Sequence, residues 1–158
     1  MMNGPFNSKL HLRTAKISDL DLLYKWANDS DVRKNSFNSN FIPYENHVIW
    51  FNKMMKNPSV LQYILEYDSL PVGQIRLNVN EDNAEIGYSI ASEYRGKGFG
   101  HRILQLVKEI LKKTHPEIHT LVAKVKPDND ASNKLFQKEN FKTDYICYSC
   151  PINDQERV

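Results

Sequence analysis

The sequence predicts an α/β (α+β) domain, a mixed and mostly antiparallel central sheet with helices on both faces, in the order β-α-α-β-β-β-α-β-α-β. Three observations support that prediction. Consecutive segments between residues 61 and 90 alternate apolar and polar residues with period two and are joined by short, turn-rich links. Helical periodicity precedes that block and follows it. The longest helical stripe, over residues 99–111, opens directly from a glycine-bearing loop.

In chain order, a short strand around residues 10–14 comes first. Ser18-Asp19-Leu20-Asp21 then places a carboxylate three residues after a serine, a capping-box start, and Leu20, Leu23, Trp26 and Ala27 recur at helical spacing. After a polar stretch over residues 35–40, Pro43 introduces a second helix with an apolar face of Tyr44, Val48, Phe51 and Met55, stopped by Asn57-Pro58. Three strands follow, built on Leu61 to Tyr67, Ile75 to Val79 and Ala84 to Ile90, and their short links make an antiparallel meander. On the third strand Glu85, Gly87 and Ser89 form a polar line free to meet a ligand, while the other face is packed. Phe99, Ile103, Leu106, Val107, Ile110 and Leu111 are the stripe of the long helix, closed by His115-Pro116. Leu121, Ala123 and Val125 make a fifth strand, and residues 130–139 a short helix ended by Asn140, which tolerates the left-handed cap. Residues 141–150 are expected to supply a final strand or two.

The 158 residues contain no repeat, linker or low-complexity stretch, so a single domain over 1–158 is expected. Apolar and charged fractions of 41% and 25% exclude the disordered and fibrous classes. No apolar run approaches the roughly 18 residues of a membrane span, and Met1-Met2-Asn3-Gly4-Pro5-Phe6 does not open like a signal peptide. A cytoplasmic protein, monomer or homodimer, with no membrane or nucleic-acid partner is expected; a formal charge of +2 and no aromatic-basic interleaving give nucleic acid nothing to bind. The two cysteines, Cys147 and Cys150, form half a zinc site at best and are read as reduced thiols, with no metal.

Arg95-Gly96-Lys97-Gly98-Phe99-Gly100 sits between a strand and a helix start, where a phosphate site belongs. The first N–H groups of a helix lack intrahelical partners, and the helix dipole adds about half a positive charge there. Glycines at 96, 98 and 100 remove side chains that would hold a pyrophosphate away, while Arg95, Lys97 and Arg102 add charge. The spacing is neither the dinucleotide fingerprint nor a Walker loop.

This segment resembles the signature of the GCN5-related N-acetyltransferases (GNAT), Arg/Gln-x-x-Gly-x-Gly/Ala, through Arg95, Gly98 and Gly100. Asn129-Asp130-Ala131-Ser132 followed by Leu135-Phe136-Gln137-Lys138-Glu139-Asn140-Phe141 is similar to a second family motif. The resemblance implies the GNAT fold, an N-acetyltransferase using acetyl-coenzyme A, and transfer in a ternary complex. It implies that the loop amides hold the pyrophosphate, that Asn129 meets the pantetheine arm, and that Tyr88, Ser89 and Ile90 border a slot where two strands splay. Phe136 stands where many members carry the tyrosine that protonates the thiolate, and the resemblance offers Ser132 for that role.

An amine must be neutral to attack, and a lysine-like amine with a pKa of about 10.4 is mostly charged at neutral pH. Glu85 on the polar line is read as its general base, beside the plain alternative of a solvated strand glutamate. Backbone N–H groups near Ser89 and Ile90 are candidates for the oxyanion donors. For the acceptor, Arg33, Ser36, Asn38, His47, Trp50, Gln74 and Arg76 are the candidate contacts. Their pattern is similar to acetyltransferases of pseudaminic acid biosynthesis, which implies a small-molecule amine, the 4-amino group of a UDP-linked amino sugar, with Arg33, Lys34 or Arg76 near the diphosphate. A protein N-terminus is the alternative acceptor, and a non-catalytic coenzyme A-binding module the alternative of another class.

Overall fold

The computed structural model describes residues 9–152. Its strands are β1 (Leu10–Thr14), β2 (Val60–Tyr67), β3 (Leu70–Asn80), β4 (Asn83–Ile90) and β5 (Thr120–Ala123), hydrogen-bonded in that order into one five-stranded sheet. The first three pairings are antiparallel and β4 pairs β5 in parallel, because a helix must cross over between those two strands. The β2–β3 link turns on Asp68 and Ser69, both at positive φ (51° and 66°), which suits the twist of a two-residue hairpin.

The helices are α1 (Leu20–Ala27), α2 (Ser30–Asn35), α3 (Tyr44–Lys56), α4 (Phe99–Thr114) and α5 (Asp130–Lys138). Alternation along the strands sends side chains into two separate cores. On one face Tyr63, Leu65, Ile75, Leu77 and Ile86 pack against Phe99, Ile103, Leu104 and Val107 of α4 and Leu135 of α5. On the other, Ile64 and Ala91 meet Leu23 and Trp26 of α1 and Phe51 and Met54 of α3. Helices therefore cover both faces, as the pattern predicts.

Four local expectations are corrected. Ser18 does not cap α1, and Asp19, which precedes the helix, gives it no side-chain cap; the Asp19 carboxylate instead accepts the Lys16 N–H at 2.7 Å while Arg13 donates to both of its oxygens. A buried carboxylate needs such partners, which an exposed serine does not. The buried stripe of α3 is His47, Phe51 and Met54, with Met55 packed at its margin and Tyr44 turned outward, a shift hidden because its first member is a polar histidine. The chain also forms a further helix, α2, that the predicted element order lacks, because Asp29 accepts from the N–H groups of Asp31 and Val32. Finally, residues 141–152 form no strand among the described residues. Phe141 is held by the Phe136 ring and Lys108, but from Lys142 onward every described residue is exposed. The alternation there has no neighbouring strand to answer its backbone groups. Asn140 keeps its expected left-handed place, at φ 67°.

Candidate active site

Gly96 and Gly98 lie at φ 74° and 84°, and nothing stands within 4 Å of a Cβ added to either. Glycine is required there by backbone conformation, and the vacant space lets a ligand reach the main chain. Gly98 caps α4, whose first intrahelical bond runs from Arg102 N–H to Gly98 O, so the N–H groups of Phe99, Gly100 and His101 have no intrahelical acceptor. Gly100 answers a different need: a Cβ there would lie 3.2 Å from Leu135 Cδ2, so the glycine lets α5 close on α4.

A cavity of about 730 Å³ opens in front of these amides. Of the residues expected at the cofactor, Tyr88, Ile90, Arg95, Gly96, Gly98, Phe99 and Gly100 line it. Ala131, Lys134 and Lys138 of α5 and His101 of α4 also line it and were missed. Helical spacing was the available signal, since 131, 134 and 138 share the α5 face that Leu135 points toward the core. Lys134, Lys138 and His101 carry nitrogen donors to the cavity rim, and Lys97 lies over the Tyr94 ring at 5.6 Å. Arg95 is not a free cation. Its Nη2 and Nη1 pair with Asp29 and Asp31 of α2 at 2.8 and 3.0 Å, and its Nε donates to Ile90 O at 3.0 Å. Burial opposes the Asp29 charge, yet hydrogen bonds from Arg95 and the Val32 N–H hold its carboxyl below the usual range.

Asn129 caps α5, its Oδ1 accepting from Ser132 N–H at 3.2 Å. The Ser132 hydroxyl lies 3.1 Å from the Tyr88 hydroxyl. Burial pushes the Tyr88 phenol up, against the pull of that hydrogen bond, so it stays protonated through the neutral range. Phe136, expected at the cofactor, is instead a core residue 8% exposed, edge-on to Tyr88 with ring centroids 5.8 Å apart.

Pairing between β4 and β5 stops at Ile86 with Ala123. Residues 87–90 keep their partners on β3 but have none on β5, so the strands part and leave an open backbone edge on that side. Glu85 stands just before the parting, on the face toward α1 and α3, with Lys124 Nζ at 3.2 Å. Beyond it Gly87 leaves open floor, with nothing within 4 Å of an added Cβ. Ser89 accepts from Gln74, which accepts from Gln62, so one chain of amides crosses β2, β3 and β4. The Gln62 Oε1 is buried with no donor among the described residues.

Of the acceptor candidates, Trp50 and Arg76 line a second cavity on this face. The five others are corrected. His47 is 2% exposed, bonded to Leu20 O at 2.9 Å and enclosed by Tyr24, Trp50 and Phe51, a core histidine. Arg33 spends its guanidinium on Ala27 O, Asn38 O, Asn40 O and Ser36 Oγ at 2.6–3.2 Å. Ser36 and Asn38 are consumed by the same knot, which shapes the loop after α2. Gln74 has both ends of its amide committed, and it positions Ser89.

The family model of the acetyltransferase (GNAT) domain matches residues 9–142, from β1 to the end of α5 and the residues that follow it. The chain belongs to the GNAT acetyltransferase family. A curated relative, the uncharacterized N-acetyltransferase p20 of Bacillus licheniformis, is 27% identical over 91% of this chain and 88% of its own length. The fold matches that of a spermidine N-acetyltransferase from Vibrio cholerae, solved in complex with CoA and spermine, with a TM-score of 0.79 at 20% identity over 88% of this chain and 84% of that one. It also matches RimL, a ribosomal L7/L12 alpha-N-protein acetyltransferase solved with coenzyme A, with a TM-score of 0.74 at 20% identity over 87% and 82%. This acetyltransferase is thus an enzyme that uses acetyl-coenzyme A, and the glycine-lined cavity fits the diphosphate and pantetheine of that co-substrate. Among the described residues no helix is long and apolar enough to cross a membrane, and Cys147 and Cys150 are free and exposed.

Proposed function

We propose that acetyl passes directly, in a ternary complex, to the primary amine of a small polar acceptor, the 4-amino group of a UDP-linked amino sugar. The observation that carries this reading is the position of Glu85, one residue before the point where β4 leaves β5 and on the side away from α4. Acetyl-coenzyme A supplies the thioester. The N–H groups of Phe99, Gly100 and His101 hold the diphosphate, and the open edge of residues 87–90 directs the acyl end toward Glu85. Glu85 takes the proton from the incoming ammonium, exchanging its contact with Lys124 for one with the acceptor. Backbone N–H groups near Ser89 and Ile90 donate to the oxygen that gains charge, and Ser132, backed by Tyr88, returns a proton to the sulfur.

The acceptor side favours a hydroxyl-rich molecule. Gly87 gives it open floor, Asn78 and Ser89 border that floor, and Trp50 offers an aromatic wall. The carboxylates of Asp29 and Asp31, which a polyamine would seek, are already taken by Arg95. Thiol release from acetyl-coenzyme A, measured with UDP-linked amino sugars, spermine and peptides, tests the reading. A kcat/KM at least about tenfold higher for the nucleotide sugar is expected, the scale of one good polar contact. Preference for peptide N-termini overturns the sugar assignment. Glu85→Gln is expected to lower kcat by roughly 100-fold with coenzyme A affinity unchanged; full activity moves the base elsewhere.

A further inference from the structure

The second cavity, about 310 Å³, lies between the C-terminal half of α3 and the sheet. It shares no lining residue with the glycine-lined cavity. Its polar walls are Lys53 and Asn57 from α3 and its end, and Arg76 and Asn78 from β3, with no carboxylate among them. Arg76 Cζ sits 5.0 Å from the Trp50 ring centroid, a cation–π contact that uses none of its N–H donors. Among the described residues the Arg76 side chain makes no hydrogen bond and no ion pair. The carboxylate that acts on it, Glu85, does so only through its field and is itself paired with Lys124. The other arginines near the acceptor side, Arg33 and Arg95, have spent their donors on backbone and carboxylate oxygens.

A half-buried guanidinium with unspent donors is costly unless something accepts from it. The two cations and two amides of this cavity outnumber what a two-oxygen carboxylate can use and match the three oxygens and higher charge of a phosphoryl group. We propose that this cavity is a phosphoryl-binding subsite for the acceptor, so that the enzyme selects amines carrying a phosphate or diphosphate and discriminates against polycationic amines. Register sets the reach: Arg76 stands opposite Gly87, and Asn78 opposite Glu85, on neighbouring strands. Directly opposed side chains lie about 5 Å apart, so an anion on Arg76 leaves its molecule's amine one sugar-sized step from the base. The link to acetyl transfer rests on the reading given under Proposed function; the anion site itself does not.

The chain has two tryptophans, and Trp26 is buried in the α1–α3 core, so Trp50 is the one placed to report on the cavity. Trp50 emission is followed while inorganic pyrophosphate, and separately acetate, is titrated into protein saturated with coenzyme A, which occupies the glycine loop. Saturable pyrophosphate binding is expected, absent as a signal in Trp50→Phe and weakened tenfold or more in Arg76→Met, the scale of one lost charge-assisted hydrogen bond. Lys53→Met, on an exposed helix surface, provides a second variant should Arg76→Met fail to fold, and a weakening of several-fold is expected. No saturable signal, or affinity indifferent to both substitutions, overturns the proposal; acetate binding as tightly as pyrophosphate overturns the phosphoryl assignment. Pyrophosphate binding that depends on Arg76 in a protein that fails to bind coenzyme A sinks the acetyl-transfer reading and leaves the anion site standing.

Discussion

In the proposed mechanism the Tyr88–Ser132 pair takes the place of a missing side chain. Phe136 occupies a core position and offers no proton, but the Tyr88 phenol and Ser132 hydroxyl meet at 3.1 Å near the parting of the strands. Ser132→Ala is expected to lower kcat by about tenfold, at the low end for general-acid help because a thiolate leaves readily, with KM for acetyl-coenzyme A unchanged. Tyr88→Phe should give a smaller loss, and its steady-state kinetics across pH distinguish a proton role from packing. Gly96 and Gly98 of the loop were legible, since glycines at a helix start serve few purposes other than turning the chain or admitting an anion, whereas the packing role of Gly100 against Leu135 and the pairing of Arg95 were not. Arg33, Ser36, Asn38 and His47 were not. Residue type says which donors a side chain owns, not whether its own loop or core consumes them, and here Arg33 satisfies four local acceptors while His47 turns inward.

Among the elements, α2 is the joint between the two halves of the site. Asp29 caps it and pairs with Arg95 of the glycine loop, while Lys126 Nζ, from the segment after β5, donates to Lys34 O at 3.0 Å. Asp29→Ala removes a cap and frees Arg95, so a loss of about 1 kcal/mol in stability is expected. A raised KM for the acceptor should accompany it, checked by urea unfolding and steady-state kinetics; unchanged values for both contradict the joint. The strands and long helix were legible because they bury a periodic face. The short α2 rests on one capping aspartate, a local signal easily lost in a polar stretch. The tail beyond Phe141 has strand-like alternation, but a strand exists only with a partner, and sequence pattern alone does not supply one.

For the molecule as a whole, two cores clamp a sheet whose fourth and fifth strands part at the proposed reaction centre, and ion pairs at the opposite edge secure it. Arg13 links Asp19, at 2.8 Å, to Glu66, at 3.1 Å, and Asp19 is 5% exposed. The Arg13 hydrogen bonds hold the Asp19 carboxyl below its usual range despite burial. Its contribution is therefore complete above the unfolded aspartate pKa of about 3.9 and is lost as pH falls through the lower folded value. Asp19→Asn is expected to cost about 3 kcal/mol at neutral pH and to flatten stability against pH below about 4, measured by urea unfolding; a parallel acid profile contradicts this. The central claim, that main-chain amides opening α4 grip the diphosphate of coenzyme A, is tested most directly by calorimetric titration of coenzyme A into Gly98→Asp and Gly98→Asn. Both side chains tolerate the positive φ at this position, so the pair isolates charge from shape. A carboxylate about 4 Å from the diphosphate should weaken binding by roughly 100-fold or more in the aspartate variant, while asparagine changes it far less. Equal affinity in the two variants contradicts the account.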